Sequence, residues 1–148
     1  MRITTHSPQE TIALGKKMAR KLRKNDVIAL YGELGSGKTT FTKGIAQGLG
    51  ITRQTVNSPS FVLLKEYKGR LPLYHFDFYR TINPQEIFNI GFQEIVSAEG
   101  VTVIEWSERI EPYLPQDHLK ITFVYKGSNR SITFKPKGTQ YKRFLRVV

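Results

Sequence analysis

Gly32-Glu33-Leu34-Gly35-Ser36-Gly37-Lys38-Thr39-Thr40 contains the spacing G-x-x-x-x-G-K-[ST], and these residue types at that spacing can grip phosphate. Gly32 and Gly37 permit backbone angles and close approaches that a Cβ would forbid, so successive N–H groups can turn inward around phosphate oxygens. A helix starting near Lys38 adds unpaired N–H groups and the positive end of its dipole. Lys38 can reach β- and γ-phosphates, and the Thr39 hydroxyl can ligate Mg²⁺. A glycine-rich turn that merely happens to end in Lys-Thr is the alternative, and the flanking residues speak against it.

Two carboxylates could complete such a site. Val101-Thr102-Val103-Ile104 is an apolar strand signal running into Glu105-Trp106, the form of the second acidic element of phosphate-loop enzymes, where the acid faces Mg²⁺ or polarises water. Asp77 stands between Phe76 and Phe78 near the end of another strand signal, where it can bind Mg²⁺ directly or through water. A charged residue at a strand exit is the plain alternative for both. His75 shares a strand face with Asp77 and taken alone reads as a satisfied structural histidine. Arg80 can stabilise phosphate charge or neutralise Asp77; Trp106 can line a pocket, pack in the core or meet a partner. Ser58-Pro59-Ser60-Phe61 is an extended or turned segment with two hydroxyls, either a polar loop or a switch loop that senses γ-phosphate and metal.

The elements that must hold these residues follow from patterning. Val27–Tyr31 reads as a buried strand feeding the glycine loop, and Phe41, Ile45 and Leu49 mark one face of the helix after it, which Gly50 can end. Ser7-Pro8-Gln9-Glu10 is a capping box with proline at the first helical position, and Leu14, Met18 and Leu22 form the core stripe of that helix. Phe61–Tyr67 and Leu73–Tyr79 predict an antiparallel hairpin through Lys68-Gly69-Arg70. Asn83-Pro84-Gln85-Glu86 starts another helix that Gly91 interrupts. Ser107–Pro115 predicts a short helix and turn. Lys120–Tyr125 and Arg130–Phe134 alternate around Gly127-Ser128-Asn129 as a second hairpin. Gln140–Val148 reads as a basic terminal helix or a fraying end.

Length and composition set limits. At 148 residues with 39% hydrophobic content, the chain reads as one domain, residues 1–148, able to bury a core. It has no cysteine, which excludes disulfides and cysteine-based metal or redox sites and suits a reducing cytosol. With no signal-peptide run and no apolar stretch of membrane-span length, a soluble cytoplasmic protein without a membrane partner is expected. The net charge of +11 is unevenly spread. His118–Val148 carries eight basic residues and no acid, Glu86–Asp117 seven acids against Arg109 alone, and Lys16, Lys17, Arg20, Lys21, Arg23 and Lys24 crowd the first helix. Such clusters are either solvated faces or contacts with nucleic acid or an acidic partner.

No N-K-x-D element for guanine, no D-x-x-G after the loop and no Leu-Ser-Gly-Gly transporter signature is present, so ATP is the expected nucleotide. The chain resembles the TsaE (YjeE) family, the ATPase of bacterial threonylcarbamoyladenosine (t6A) tRNA modification. The resemblance rests on Gly32–Phe41, Ser58–Phe61, His75-Phe76-Asp77-Phe78-Tyr79-Arg80 and Val103-Ile104-Glu105-Trp106; Ser60 stands where the family usually has threonine.

The resemblance implies a P-loop NTPase-like α/β fold, a mixed β-sheet flanked by helices with antiparallel hairpins. It also implies weak, partner-dependent Mg-ATPase activity, giving ADP and phosphate, that drives turnover of a complex with TsaB and TsaD. In that reading Lys38 and the loop amides of Gly32–Thr40 bind phosphates, Thr39 and Glu105 hold Mg²⁺, and Asp77 supports the metal or the catalytic water. Ser58 and Ser60 lie in a switch-like loop, with His75, Arg80 and Trp106 in support. Two other readings stay open: a small-substrate P-loop kinase, and a nucleotide-gated RNA-binding module touching tRNA through its basic clusters.

Overall fold

Val27–Tyr31 is buried at every position, the signature of a parallel strand covered on both faces. A computed structural model of the protein describes residues 1–51, 56–57, 59, 63–80 and 83–146. In chain order its elements are β1 (Arg2–Thr5), α1 (Pro8–Ala19), β2 (Val27–Tyr31), α2 (Lys38–Gly48), β3 (Leu64–Tyr67), β4 (Leu73–Asp77), α3 (Pro84–Asn89), α4 (Phe92–Val96), β5 (Val101–Glu105), β6 (His118–Lys126) and β7 (Asn129–Lys137), with 3-10 turns at Ser107–Arg109, Glu111–Tyr113 and Thr139–Arg146.

The seven strands form a mixed sheet in the order β1-β7-β6-β2-β5-β4-β3. β6, β2, β5 and β4 pair in parallel, while β3 at one edge and β7 and β1 at the other are antiparallel. Strand alternation sorts the core into two layers. Ile28, Leu30, Val103 and Ile121 face α1 and α2; Val27, Phe76, Phe78 and Ile104 face α3 and α4.

Local signals explain the helices. The Ser7 hydroxyl accepts the Glu10 N–H at 3.1 Å and the Glu10 carboxylate accepts the His6 N–H at 2.7 Å, so α1 starts at its expected cap. Asn83 caps α3 in the same way at 2.9 Å. α1 then lies unusually close to α2, because a Cβ on Gly44 would fall 2.1 Å from the Ile12 carbonyl oxygen. No helix among the described residues is long and apolar enough to cross a membrane.

Several boundaries differ from expectation. β1 has no signal in its own four residues and exists because β7 offers an open edge, pairing Ile3 with Ile132. β4 stops at Asp77, not Tyr79, because the Asp77 carboxylate takes the Tyr79 N–H at 2.8 Å and bends the chain out of the ladder. The second hairpin is longer than predicted and turns on Gly127-Ser128, with Lys126 opposite Asn129. The terminal segment is a 3-10 helix that buries Tyr141 and Phe144. Phe61 and Val62, predicted as the start of β3, lie outside the described residues.

Candidate functional site

The three parallel strands β2, β5 and β4 end side by side, and the residues that follow or terminate them converge. β2 delivers Gly32–Gly37 into α2, which begins at Lys38. On the neighbouring strands Asp77 and Glu105 are register partners, so both carboxylates project from the same edge toward the start of α2. This is the crevice outside the carboxyl ends of the strands, where open α/β sheets bind ligands.

Within it, the Thr39 hydroxyl lies 2.9 Å from each oxygen of Glu105. His75 Nε2 lies 2.8 Å from Glu105 Oε1, with both side chains buried. A carboxylate only accepts, so the imidazole proton on that side sits on Nε2; Nδ1 is buried without a hydrogen-bond partner among the described residues. Asp77 is 2% exposed and faces the same crevice as Thr39 and Thr40, across a cavity of about 200 Å³ walled by Leu34, Tyr79 and Trp106.

Lys38 is 4% exposed. Its Nζ donates to the carbonyls of Gly32 and, at 2.9 Å, Glu33, and stands 4.1 Å from the centre of the Trp106 ring. Burial pulls its pKa below the ordinary lysine value, against the carboxylates of Glu105, Glu108, Asp77 and Glu33. Loss of hydration likewise raises the Glu108 carboxyl, with Lys38 and the Gly32 N–H opposing. Trp106 also packs on Tyr79, ring centres 5.1 Å apart, with Arg109 over it at 5.3 Å. The crevice therefore holds one ammonium, two buried carboxylates and a hydroxyl within a wall of aromatic rings.

Of the residues singled out in the sequence, Gly32–Thr40, Asp77, Glu105, His75 and Trp106 meet here. Arg80 is exposed just beyond the strand, and the wall on that side is Tyr79. Ser58, Ser60 and Phe61 lie outside the described residues; Pro59 is buried and its carbonyl accepts the Leu63 N–H at 2.8 Å.

Sequence reasoning missed the other flank of the loop. The Tyr125 hydroxyl donates to the Leu34 carbonyl at 2.9 Å, Arg130 lies over the Tyr125 ring at 4.2 Å, and Arg130 also reaches the Gly35 carbonyl at 3.4 Å. The tip of the β6–β7 hairpin thus braces the glycine loop. Beside it Thr5, Ser7, Thr11, Gly35, Thr40 and Arg130 line a smaller cavity of about 80 Å³. No local signal in β6 or β7 reveals this, because it depends on β6 lying next to β2.

Comparison with known proteins fits this geometry. Residues 5–132 match the family model for "Threonylcarbamoyl adenosine biosynthesis protein TsaE". A protein of Bacillus subtilis named tRNA threonylcarbamoyladenosine biosynthesis protein TsaE is 47% identical over 140 residues, 93% of this chain and 87% of that protein. The Treponema pallidum protein of the same name is 45% identical over 134 residues, 90% and 98% of the two chains. The crystal structure of Bacillus subtilis YdiB superposes with a TM-score of 0.85 at 41% identity, covering 98% of this chain and 90% of that one.

Proposed function

The chain belongs to the TsaE family and has a role in t6A biosynthesis, and we propose that it fills that role as a cytoplasmic, weak Mg-ATPase that drives turnover of a TsaB–TsaD complex. The observation that carries this reading is the meeting of Thr39 and Glu105, 2.9 Å apart, beside Lys38 at the mouth of a glycine loop.

The residues present fit both nucleotide and metal. Ser36 Oγ is buried without a hydrogen-bond partner among the described residues, a donor held ready at the centre of the loop. Among the described residues no cluster of three or more His, Cys, Asp or Glu could hold an ion alone. That suits Mg²⁺, which takes one or two protein oxygens and completes its shell with waters and substrate phosphates. Thr39 and Glu105 would hold it, with Asp77 in support; when bound, it neutralises charge on the phosphate oxygens.

Lys38 and the amides of Gly32–Thr40 bind the phosphates of ATP. Glu105, aligned by His75, orients the attacking water, and Asp77 faces the same space. Leu34, Tyr79 and Trp106 line the solvent-facing side of the crevice.

Phosphate release from Mg-ATP, by the wild-type chain and by Lys38→Ala and Glu105→Ala, alone and with TsaB and TsaD, tests this reading. Turnover that is weak alone, rises with both partners and collapses in Glu105→Ala while binding persists supports it. Stimulation by a small metabolite that itself becomes phosphorylated points to a kinase and overturns it.

A further inference from the structure

The two basic clusters that stand far apart in the sequence are one surface in the fold. Lys21 Nζ donates to the carbonyls of Arg143, at 3.1 Å, and Arg146, at 2.6 Å, and Arg143 Nε returns a bond to the Lys21 carbonyl at 3.0 Å. These bonds fasten the terminal 3-10 helix to the end of α1. On another side of the same helix end Arg70, from the β3–β4 turn, donates to the Ala19 carbonyl at 3.0 Å. Three sequence-distant segments thus bring cations around one point.

Some of that charge is structural. Arg70 answers the negative end of the α1 dipole, and Arg143 neutralises Asp26, 5% exposed, through a direct ion pair. Lys24 pairs with Glu99 at 3.4 Å, both widely exposed, and such a pair opens readily to a competing anion. Asp26 and Glu99 are the carboxylates in ion-pair contact with the cluster among the described residues. Lys16, Lys17, Arg20, Arg23, Lys142 and Arg146 remain exposed, and fold stability has no use for so much like charge in one place.

We propose that this face, formed by the end of α1 and the terminal 3-10 helix, binds the phosphodiester backbone of RNA. Spaced cations on a rigid helix and a docked tail match a polyanion of regularly spaced phosphates. An anionic membrane would also attract the charge, but a stable anchor needs apolar residues to insert, and Leu145 is the large exposed apolar side chain within the cluster. α1 begins beside the glycine loop and spans 12 residues, about 18 Å at 1.5 Å per residue, so RNA held at its far end leaves the nucleotide crevice accessible. The proposal goes beyond the ATPase reading and does not depend on it.

The test is binding of a fluorescent tRNA transcript to the full chain across about 0.05–0.2 M salt. Lys17→Ala/Arg20→Ala/Arg23→Ala is compared with an equal-charge control, Lys65→Ala/Lys126→Ala/Lys135→Ala. Wild type should show a steep fall of log K with log salt. The first triple should lower the slope by roughly 2 and weaken binding on the order of tenfold to a hundredfold at the low-salt end, with the control near wild type. Equal losses in both triples, a slope unchanged by the first, or binding to phosphatidylserine vesicles without binding to tRNA would each overturn the assignment. Unchanged nucleotide affinity in both triples verifies folding and separates this outcome from failure of the ATPase reading.

Discussion

His75 Nε2 and Glu105 Oε1 are 2.8 Å apart, with both side chains buried, so the carboxylate that also contacts Thr39 is fixed from behind by an imidazole two residues before Asp77. The arrangement has the form of an outer partner that aims a ligand, where loss typically costs 10- to 100-fold in activity or metal affinity. We expect His75→Ala to lower kcat by roughly that factor while leaving Mg-free ADP affinity near wild type. His75→Gln, which keeps a donor, should recover part of it. Equal effects of the two substitutions, or loss of nucleotide binding with Ala, would show His75 to be core filling only.

Trp106 is the single tryptophan of the chain, and its ring sits 4.1 Å from Lys38 Nζ. A cation so close to an indole perturbs its emission, and recruitment of Lys38 by phosphate changes that contact. Adding ATP or ADP should therefore shift Trp106 fluorescence saturably. Lys38→Ala should weaken the affinity read from the titration by at least about tenfold, as expected for losing a charge-assisted phosphate contact. A titration identical in the variant would mean that Lys38 does not engage phosphate.

Gly44 holds α1 against α2, since a Cβ there would meet the Ile12 carbonyl oxygen at 2.1 Å and its Cα at 3.0 Å. Backbone cannot swing aside as a side chain would, so Gly44→Ala must push the helices apart. Overpacking of this kind costs about 1–3 kcal/mol or more, and at this chain length each kcal/mol moves Tm by roughly 2–4 °C. A fall in Tm of about 5–10 °C is expected. A Tm equal to or above wild type, as helix propensity alone would give, would refute the close approach.

What the sequence shows of the site is what local pattern can carry. The glycine loop, the strand before it and the helix after it are contiguous, so their order alone aims Lys38 and Thr39. Asp77 and Glu105 were legible as strand-end acids, and the shared face of His75 and Asp77 follows from the two-residue period of a strand. Their meeting is a product of β4 pairing in register with β5, which no window of sequence contains. Tyr125 and Arg130 were invisible for the same reason: their contact with the loop requires β6 beside β2. The terminal segment reads as a basic helix or a fraying end because its docking depends on partners outside its own window, such as the Val27 N–H that meets the Tyr141 hydroxyl from 114 positions away.

That terminal segment gives a prediction with a definite sign. The buried Tyr141 hydroxyl accepts the Val27 N–H at 2.8 Å, at the start of the strand that feeds the glycine loop. Burial raises its pKa from 10.0 to about 12. Between those values the folded chain keeps a proton that the unfolded chain has lost, so folding stability falls as pH rises. The contribution is intact below pH 10.0 and is lost as pH passes through about 12. Tyr141→Phe removes the group and leaves the Val27 N–H unpaired, which should cost about 1–3 kcal/mol near neutral pH. In urea unfolding the gap between wild type and Tyr141→Phe should stay constant up to the lower of the two values and narrow above it. A gap that holds or widens on the alkaline side would mean that the hydroxyl is not buried, and that the tail is not docked on β2.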